Sequence, residues 1–156
     1  MTGSRSDPAG ATTRLAVAAT AAGLGDAGQA FDAFCHAHRL TEAVRRRMQL
    51  VLDEVLSNVV RHGRAPETAP IDLAFSWAPS RLVVEVRDAA SPFNPLDLPP
   101  PDTTLPLEAR APGGLGIALV RAMLDEVTYA RRDEHNILTL TLHVRPDVTG
   151  DAHGHS

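Results

Sequence analysis

Ile71-Asp72-Leu73-Ala74-Phe75-Ser76-Trp77-Ala78-Pro79-Ser80-Arg81-Leu82-Val83-Val84-Glu85-Val86-Arg87-Asp88 is the stretch on which the fold turns. Ile71 to Trp77 alternates apolar and polar residues, the pattern of a strand with one buried and one wet face. Ala78-Pro79-Ser80 is a turn, and Arg81 to Asp88 is a second strand, so the two form an antiparallel hairpin. A sheet of this kind has one face to cover, and the flanking sequence must supply the cover.

Upstream lie two helical patterns. Thr41 is placed to cap a long helix whose Val44, Met48, Val51, Leu52, Val55, Leu56, Val59 and Val60 recur at helical spacing, up to Gly63. Before it, Asp26 reads as the cap of a helix over about 27–38, with Gly23-Leu24-Gly25 as punctuation. Arg14 to Ala19 is expected to be a short edge strand. Downstream, residues 89–112 carry seven of the chain's twelve prolines, too many for a helix interior or a central strand. A loop of that length is expected to be a lid. Gly113-Gly114-Leu115-Gly116 then opens a helix from Ile117 to about Leu124, and Val127–Arg131 and Asn136–Val144 close the sheet. The expected architecture is an α/β sandwich of two layers, with a mixed, mostly antiparallel sheet and its helices on one face. Residues 1–12 and 146–156 are polar and expected to be disordered tails around a domain at 13–145.

At 156 residues the chain has the length of one ordinary domain, with 44% apolar and 22% charged residues. Aromatic residues are only 4%, so aliphatic side chains must make most of the core. The formal net charge of −4 gives no electrostatic reason for binding a nucleic-acid backbone. No stretch approaches the roughly 18 apolar residues of a membrane helix, and the N-terminus lacks the order of a signal peptide. The single cysteine, Cys35, excludes an intrachain disulfide. A cytoplasmic protein is expected.

Four features carry chemistry, each weak alone. Glu54 and Asn58 are one turn apart on the long helix and project from one face, with His62 one turn further. A carboxylate can take a proton from a hydroxyl, and an amide oxygen is a hard ligand suited to magnesium. Such pairs also occur on solvated helix faces. Asp88, at the end of its strand, can accept from the exocyclic amine of a purine, although a turn aspartate bonding its own backbone looks the same in sequence. Gly113, Gly114 and Gly116 let a backbone approach a ligand, and amides at a helix start favour phosphate. The fourth feature is the lid, able to close over a nucleotide. In this order the four describe one phosphate-and-purine site. Cys35-His36-Ala37-His38 is not read as a metal site, because these side chains diverge on a helix. Arg45-Arg46-Arg47 reads as the solvated side of the long helix, or as a contact for an acidic partner.

At these residues the chain resembles the GHKL (Bergerat-fold, histidine-kinase-like) ATPases, in their bacterial anti-sigma-factor version. Glu54 to Gly63 looks like the N-box. Asp88-Ala89-Ala90-Ser91-Pro92-Phe93-Asn94-Pro95 resembles the first glycine box, and Gly113 to Val127 the second with its trailing helix. Tyr129 and Asn136-Ile137-Leu138-Thr139-Leu140 match the closing strands, and the likeness spans roughly residues 14–145. It implies an ATP- and magnesium-dependent serine/threonine kinase of a partner-switching pathway. Its substrate would be an anti-anti-sigma STAS-domain partner, and it would sequester a sigma factor or similar regulator and act as a homodimer. Glu54 would be the general base, Asn58 the magnesium ligand and Asp88 the adenine acceptor. Gly113, Gly114, Leu115 and Gly116 would face the phosphates. Arg110 would approach the terminal phosphate, Thr139 would support the adenine contact, and His62 is grouped with the nucleotide-binding residues. Ala90 departs from the family, which usually has glycine where the backbone passes the adenine. That leaves open a tolerated methyl, weaker nucleotide binding, or a member without kinase activity.

A non-catalytic partner-binding module on the same fold is the competing reading. The catalytic half of a sensor histidine kinase would need an upstream dimerisation helix pair, for which the residues before the long helix are too few. The larger topoisomerase and chaperone relatives would need transducer domains.

Overall fold

A computed structural model describes residues 10–62, 69–97, 104 and 114–145. In chain order the elements are strand β1 (Ala11–Val17), helices α1 (Ala21–Ala37) and α2 (Glu42–His62), and strands β2 (Ile71–Ala78) and β3 (Arg81–Asp88). A 3-10 turn (Pro95–Asp97), helix α3 (Gly114–Met123) and strands β4 (Glu126–Arg132) and β5 (His135–His143) follow. The strands form one sheet in the order β1-β2-β3-β5-β4. The sheet, expected to be mostly antiparallel, is antiparallel at every pairing.

Alternation decides which face is covered. Leu82, Val84 and Val86 on β3 are buried, as are Leu138, Leu140 and Leu142 on β5, and registry sets them side by side. Phe31 and Phe34 of α1 press their rings on Phe75 of β2 at centroid distances of 5.3 and 5.7 Å. Met48, Val51, Leu52, Val55 and Leu56 of α2 complete the same core. Each of these large side chains contributes roughly 1.5–3 kcal/mol by leaving water. The strand turns follow from their residues. Pro79 and Ser80 join β2 to β3 with Ser80 at φ 67°, and Asp133 and Glu134 join β4 to β5 with φ of 50° and 64°. Two positive angles in a two-residue turn match the right-handed twist of the strands they connect.

Three boundaries differ from expectation. β1 starts at Ala11, inside the expected tail, because Ala11 and Thr12 pair with Trp77 and Ser76, and the Thr12 and Ser76 hydroxyls meet at 3.1 Å. It ends at Val17, short of Ala19. Helix α1 begins at Ala21, with Thr20 as its cap: the Thr20 hydroxyl accepts from the Gly23 amide at 3.1 Å, and Asp26 lies inside the helix. Gly23 is a packing requirement. A Cβ there would run into the backbone of Ala18, so the helix lies against the end of β1 only with glycine at that point. The Thr41 cap holds, its hydroxyl accepting from the Val44 amide at 3.3 Å. Near it, Arg45 ties the helices together by pairing with Asp32 of α1 at 3.1 Å and with Glu42 of α2. Two guanidinium hydrogen bonds from Arg45 to Glu42, with a third from Arg46, hold the Glu42 carboxyl down at about 2.

Gly23 and Gly25 of α1 make opposite expectations. Nothing lies within 4 Å of a Cβ at Gly25, which is exposed in the middle of α1. Gly25→Ala is expected to raise stability by about 0.4–1 kcal/mol through a less flexible unfolded chain. Gly23→Ala is expected to lower it by about 1–3 kcal/mol through overpacking. Urea denaturation of the two variants checks this, and equal shifts of one sign would contradict the account.

Candidate functional site

The apolar stripe of α2 does not stay apolar to its end. Val51, Leu52, Val55 and Leu56 are buried, and the next inward position is Asn58, which is only 2% exposed. Neither its Oδ1 nor its Nδ2 has a hydrogen-bond partner. Among the described residues just three buried side-chain polar atoms lack one, and two of them belong to Asn58. The third is Nε of Arg87, which alternation turns to the opposite face of the sheet. An unpaired buried polar group costs about 1–3 kcal/mol, so its presence asks for an explanation beyond folding.

The explanation lies across the gap. β3 carries its alternation to Asp88, whose side chain therefore turns to the helix side and is 7% exposed. Asn58 and Asp88 line one cleft of about 450 Å³, counted to its open mouth. Val55, Val86, Ile117 and Leu138 give it apolar walls, and Phe93 and Pro95 lie along it. The chemistry, a largely apolar slot with few polar groups, suits a flat ring system. Asp88 takes two hydrogen bonds on one oxygen: Oδ1 accepts from the Ala90 amide and from Nδ2 of Asn136, both at 3.0 Å. Its Oδ2 has no protein partner among the described residues.

Glu54 sits one turn before Asn58 and is half-buried. A Cβ at Gly116 would collide with its Oε1, Cδ and Cγ, so the Glu54 carboxylate lies directly against the backbone of α3. The first turn of α3 thus meets the acidic end of the site. Gly114 and Gly116 belong to that turn rather than preceding it, with the helix starting three residues before the expected Ile117. Its leading amides have no carbonyl to bond within the helix. Ile117 and Val120 are buried beneath, and Nη2 of Arg121 donates to the Leu96 carbonyl at 2.7 Å.

The structure therefore gathers Asn58, Asp88 and Ala90 along one cleft, with Glu54 and Gly116 in contact at its rim. It does not bring Thr139 there. Thr139 pairs with Glu85 in the register of β5 and alternates to the sheet face away from the helices, while Leu138 and Asn136 face the cleft. His62 is the last residue of α2 and Leu115 lies in the first turn of α3, and for both only the backbone is described. Arg110 and Gly113 lie outside the described residues. The expected lid over 89–112 is divided. Its first part, through Asp97, has a defined course, and residues 98–103 and 105–112 lie outside the described set.

Sequence reasoning assigned no role to Asn136, which is 5% exposed and turns out to be a hub. Its oxygen accepts from the Tyr129 hydroxyl at 2.5 Å, Nη1 of Arg131 at 3.1 Å and the Phe93 amide at 3.3 Å. Its nitrogen donates to Asp88 and to the Ser91 carbonyl, each at 3.0 Å, and the Ala90 carbonyl lies 3.5 Å away. The signal was available: Asn136 shares the phase of Leu138, Leu140 and Leu142, so it is a polar residue at an inward position of a core strand. Cys35 and its histidines do not converge. Cys35 is buried, and that burial, followed by the charge of Asp32, pushes its thiol up to about 12. His38 instead rests on the Phe34 ring with centroids 4.5 Å apart, and His36 is exposed.

The model of the histidine kinase-like ATPase domain matches residues 17–142. The chain belongs to that family. It is 29% identical over 137 residues to the serine/threonine-protein kinase BtrW of Bordetella bronchiseptica, covering 87% of this chain and 96% of that one. Among solved structures it is similar to the RsbU and RsbW domains of Rv1364c from Mycobacterium tuberculosis, with a TM-score of 0.64 and 16% identity. That match covers 87% of this chain but spans only 33% of the longer Rv1364c chain. The SiaB-SiaC complex of Pseudomonas aeruginosa contains a second similar chain, with a TM-score of 0.57 and 14% identity over 85% of this chain and 88% of that one. At such identities the two structures speak for the fold. No helix among the described residues is long and apolar enough to cross a membrane.

If the unpaired amide serves a ligand, its removal should stabilise the free protein. Asn58→Leu, close in volume and free of unmet hydrogen bonds, is expected to raise the stability of the nucleotide-free chain by about 1–3 kcal/mol in denaturant titration. A loss of stability would mean that the amide is satisfied in solution by something other than a ligand.

Proposed function

We propose that this chain is an ATP- and magnesium-dependent serine/threonine protein kinase of the anti-sigma type. Its substrate would be a serine or threonine of an anti-anti-sigma STAS-domain partner. It would alternate between that partner and a sigma factor or similar regulator, as a homodimer in the cytoplasm. The observation that carries the reading is Asn58, a buried amide with both ends unpaired among the described residues, on the same cleft as a carboxylate whose Oδ2 has no partner among them. Similarity to BtrW over nearly the full length of both chains supports the choice of reaction.

Each residue's part follows from its chemistry. Asp88 accepts the exocyclic amine of the adenine, which the apolar walls hold between β3 and α2. The amides of the first turn of α3 and the glycine backbone around them face the phosphates. Asn58 offers a neutral hard oxygen, the donor type magnesium takes together with phosphate oxygens. Bound magnesium would neutralise the phosphate charge. Glu54 takes the proton of the partner's hydroxyl as that oxygen bonds to the γ-phosphorus and the bond to ADP breaks. Ala90 favours the second reading, a partner-binding module without catalysis, because it lines the cleft, is buried, and carries a methyl where the family usually has glycine.

Titration calorimetry with ATP, with and without magnesium, separates the two. The native chain is expected to bind ATP more tightly with magnesium, and Asn58→Ala and Asp88→Asn to weaken that binding about tenfold or more. Glu54→Gln is expected to keep ATP binding and to lower phosphorylation of a cognate partner by about 10²–10⁴. A folded native chain that binds no ATP would leave the binding-module reading in possession of the site.

A further inference from the structure

A carboxylate accepts from an amine and repels a carbonyl, and it discriminates most sharply between the two when it is held against the base and cannot turn aside. The Asn136 hub supplies that constraint. Three donors surround the Asn136 oxygen, from Tyr129, Arg131 and the Phe93 amide, so the amide cannot flip without setting its own N–H groups against them. Its nitrogen is then bound to face Asp88 Oδ1 at 3.0 Å. The Ala90 amide reaches the same oxygen, so both protein donors fall on Oδ1 and Oδ2 is left to the cleft. Arg131 also fixes the Ala90 carbonyl at 2.8 Å, and Asn136 the Ser91 carbonyl, which pins the strand exit on which Asp88 depends.

We propose that Asn136, oriented by Tyr129, is the positioning residue that makes this cleft selective for a 6-amino purine over a 6-oxo purine, by locking Asp88 with Oδ2 turned to the base. The inference rests on the nucleotide reading above and adds to it the source of base selectivity. An amino group at position 6 donates to Oδ2. A carbonyl there meets a carboxylate that cannot turn away. Releasing Asp88 removes the reward for the first and the penalty for the second. The signature is therefore a change in the ratio of two affinities, which a general loosening of the site would leave alone.

The test is titration calorimetry of the full chain with magnesium, using ATP and inosine triphosphate as the 6-amino and 6-oxo probes. The native chain is expected to prefer ATP by about tenfold or more, the range of a hydrogen bond to a charged group. Asn136→Ala is expected to weaken ATP about tenfold while inosine triphosphate changes less than about threefold, so the ratio collapses. Tyr129→Phe, which removes one donor and no core volume, is expected to lower the ratio by a smaller factor. Melting of each nucleotide-free variant checks folding. If Asn136→Ala does not fold, Tyr129→Phe decides, and an unchanged ratio there overturns the proposal. Equal weakening of both nucleotides by Asn136→Ala also overturns it and leaves Asn136 a structural residue in a nucleotide site. A native chain that binds neither nucleotide removes the nucleotide reading itself, and the positioning role with it.

Discussion

The packing of α2 on the sheet is the constraint from which the site follows. Burial of Met48, Val51, Leu52, Val55 and Leu56 against the covered face of the sheet fixes the rotation of the helix about its axis. Once that rotation is set, 3.6 residues per turn decide where every later side chain points. Asn58 arrives facing inward whether or not it finds a partner, and Glu54 arrives at the rim. The core thus supplies the force that holds an unsatisfied amide in a cleft, with a cost of about 1–3 kcal/mol set against the many side chains of the same interface. A looser helix would roll the amide out to water.

The sheet applies the same logic with a period of two. β3 and β5 keep their apolar alternation up to one shared end, where Asp88 and Asn136 are register partners. Both are inward-facing by the phase of their strands, and each would be a buried polar liability alone. Paired, they satisfy one another and reach out to the segment that follows β3. That pairing helps hold residues 89–97, which contain two prolines and no long element, against the end of the sheet. Their amides and carbonyls are bonded to side chains, with Phe93 held by Asn136, Ala90 by Arg131 and Leu96 by Arg121. Apolar walls then close around a slot in which Asp88 and Asn136 stand at adjoining strand ends.

Much of this was legible in the chain. Periodicity gave the two hairpins, the long helix and the one-sided cover, and the phases of Asn58 and Asp88 set both on the inward side of their elements. The failures have physical causes. Gly23 and Gly25 read as a break because glycine is a poor helix former, yet α1 runs through them, since close contact with Ala18 needs a residue without Cβ. Thr139 was assigned by its neighbourhood in a motif, and strand alternation sends it to the other face. Asn136 went without a role because its hydrogen bonds join residues 43 to 48 positions apart as well as near neighbours. Spacing along the chain carries no trace of such contacts, and only its phase among leucines betrayed it.

Ala90 shows how a motif departure changes meaning once the backbone is known. Glycine would be obligatory there if the chain needed a positive φ, and Ala90 is not among the non-glycine residues that adopt one. The path of the chain is set instead by its amide bonding Asp88 and its carbonyl bonding Arg131, contacts any residue but proline can make. The methyl therefore strains nothing in the fold. Ala90 lines the cleft together with Asp88 and Phe93. Any effect of Ala90 must then be exerted on the ligand, through the width of the slot. On the proposed nucleotide reading, a substitution that narrows the slot would penalise every base alike, whereas the orientation of Asp88 would distinguish one base from another. Affinity and selectivity would then be governed by different residues, and a weak binder built this way would still be a selective one.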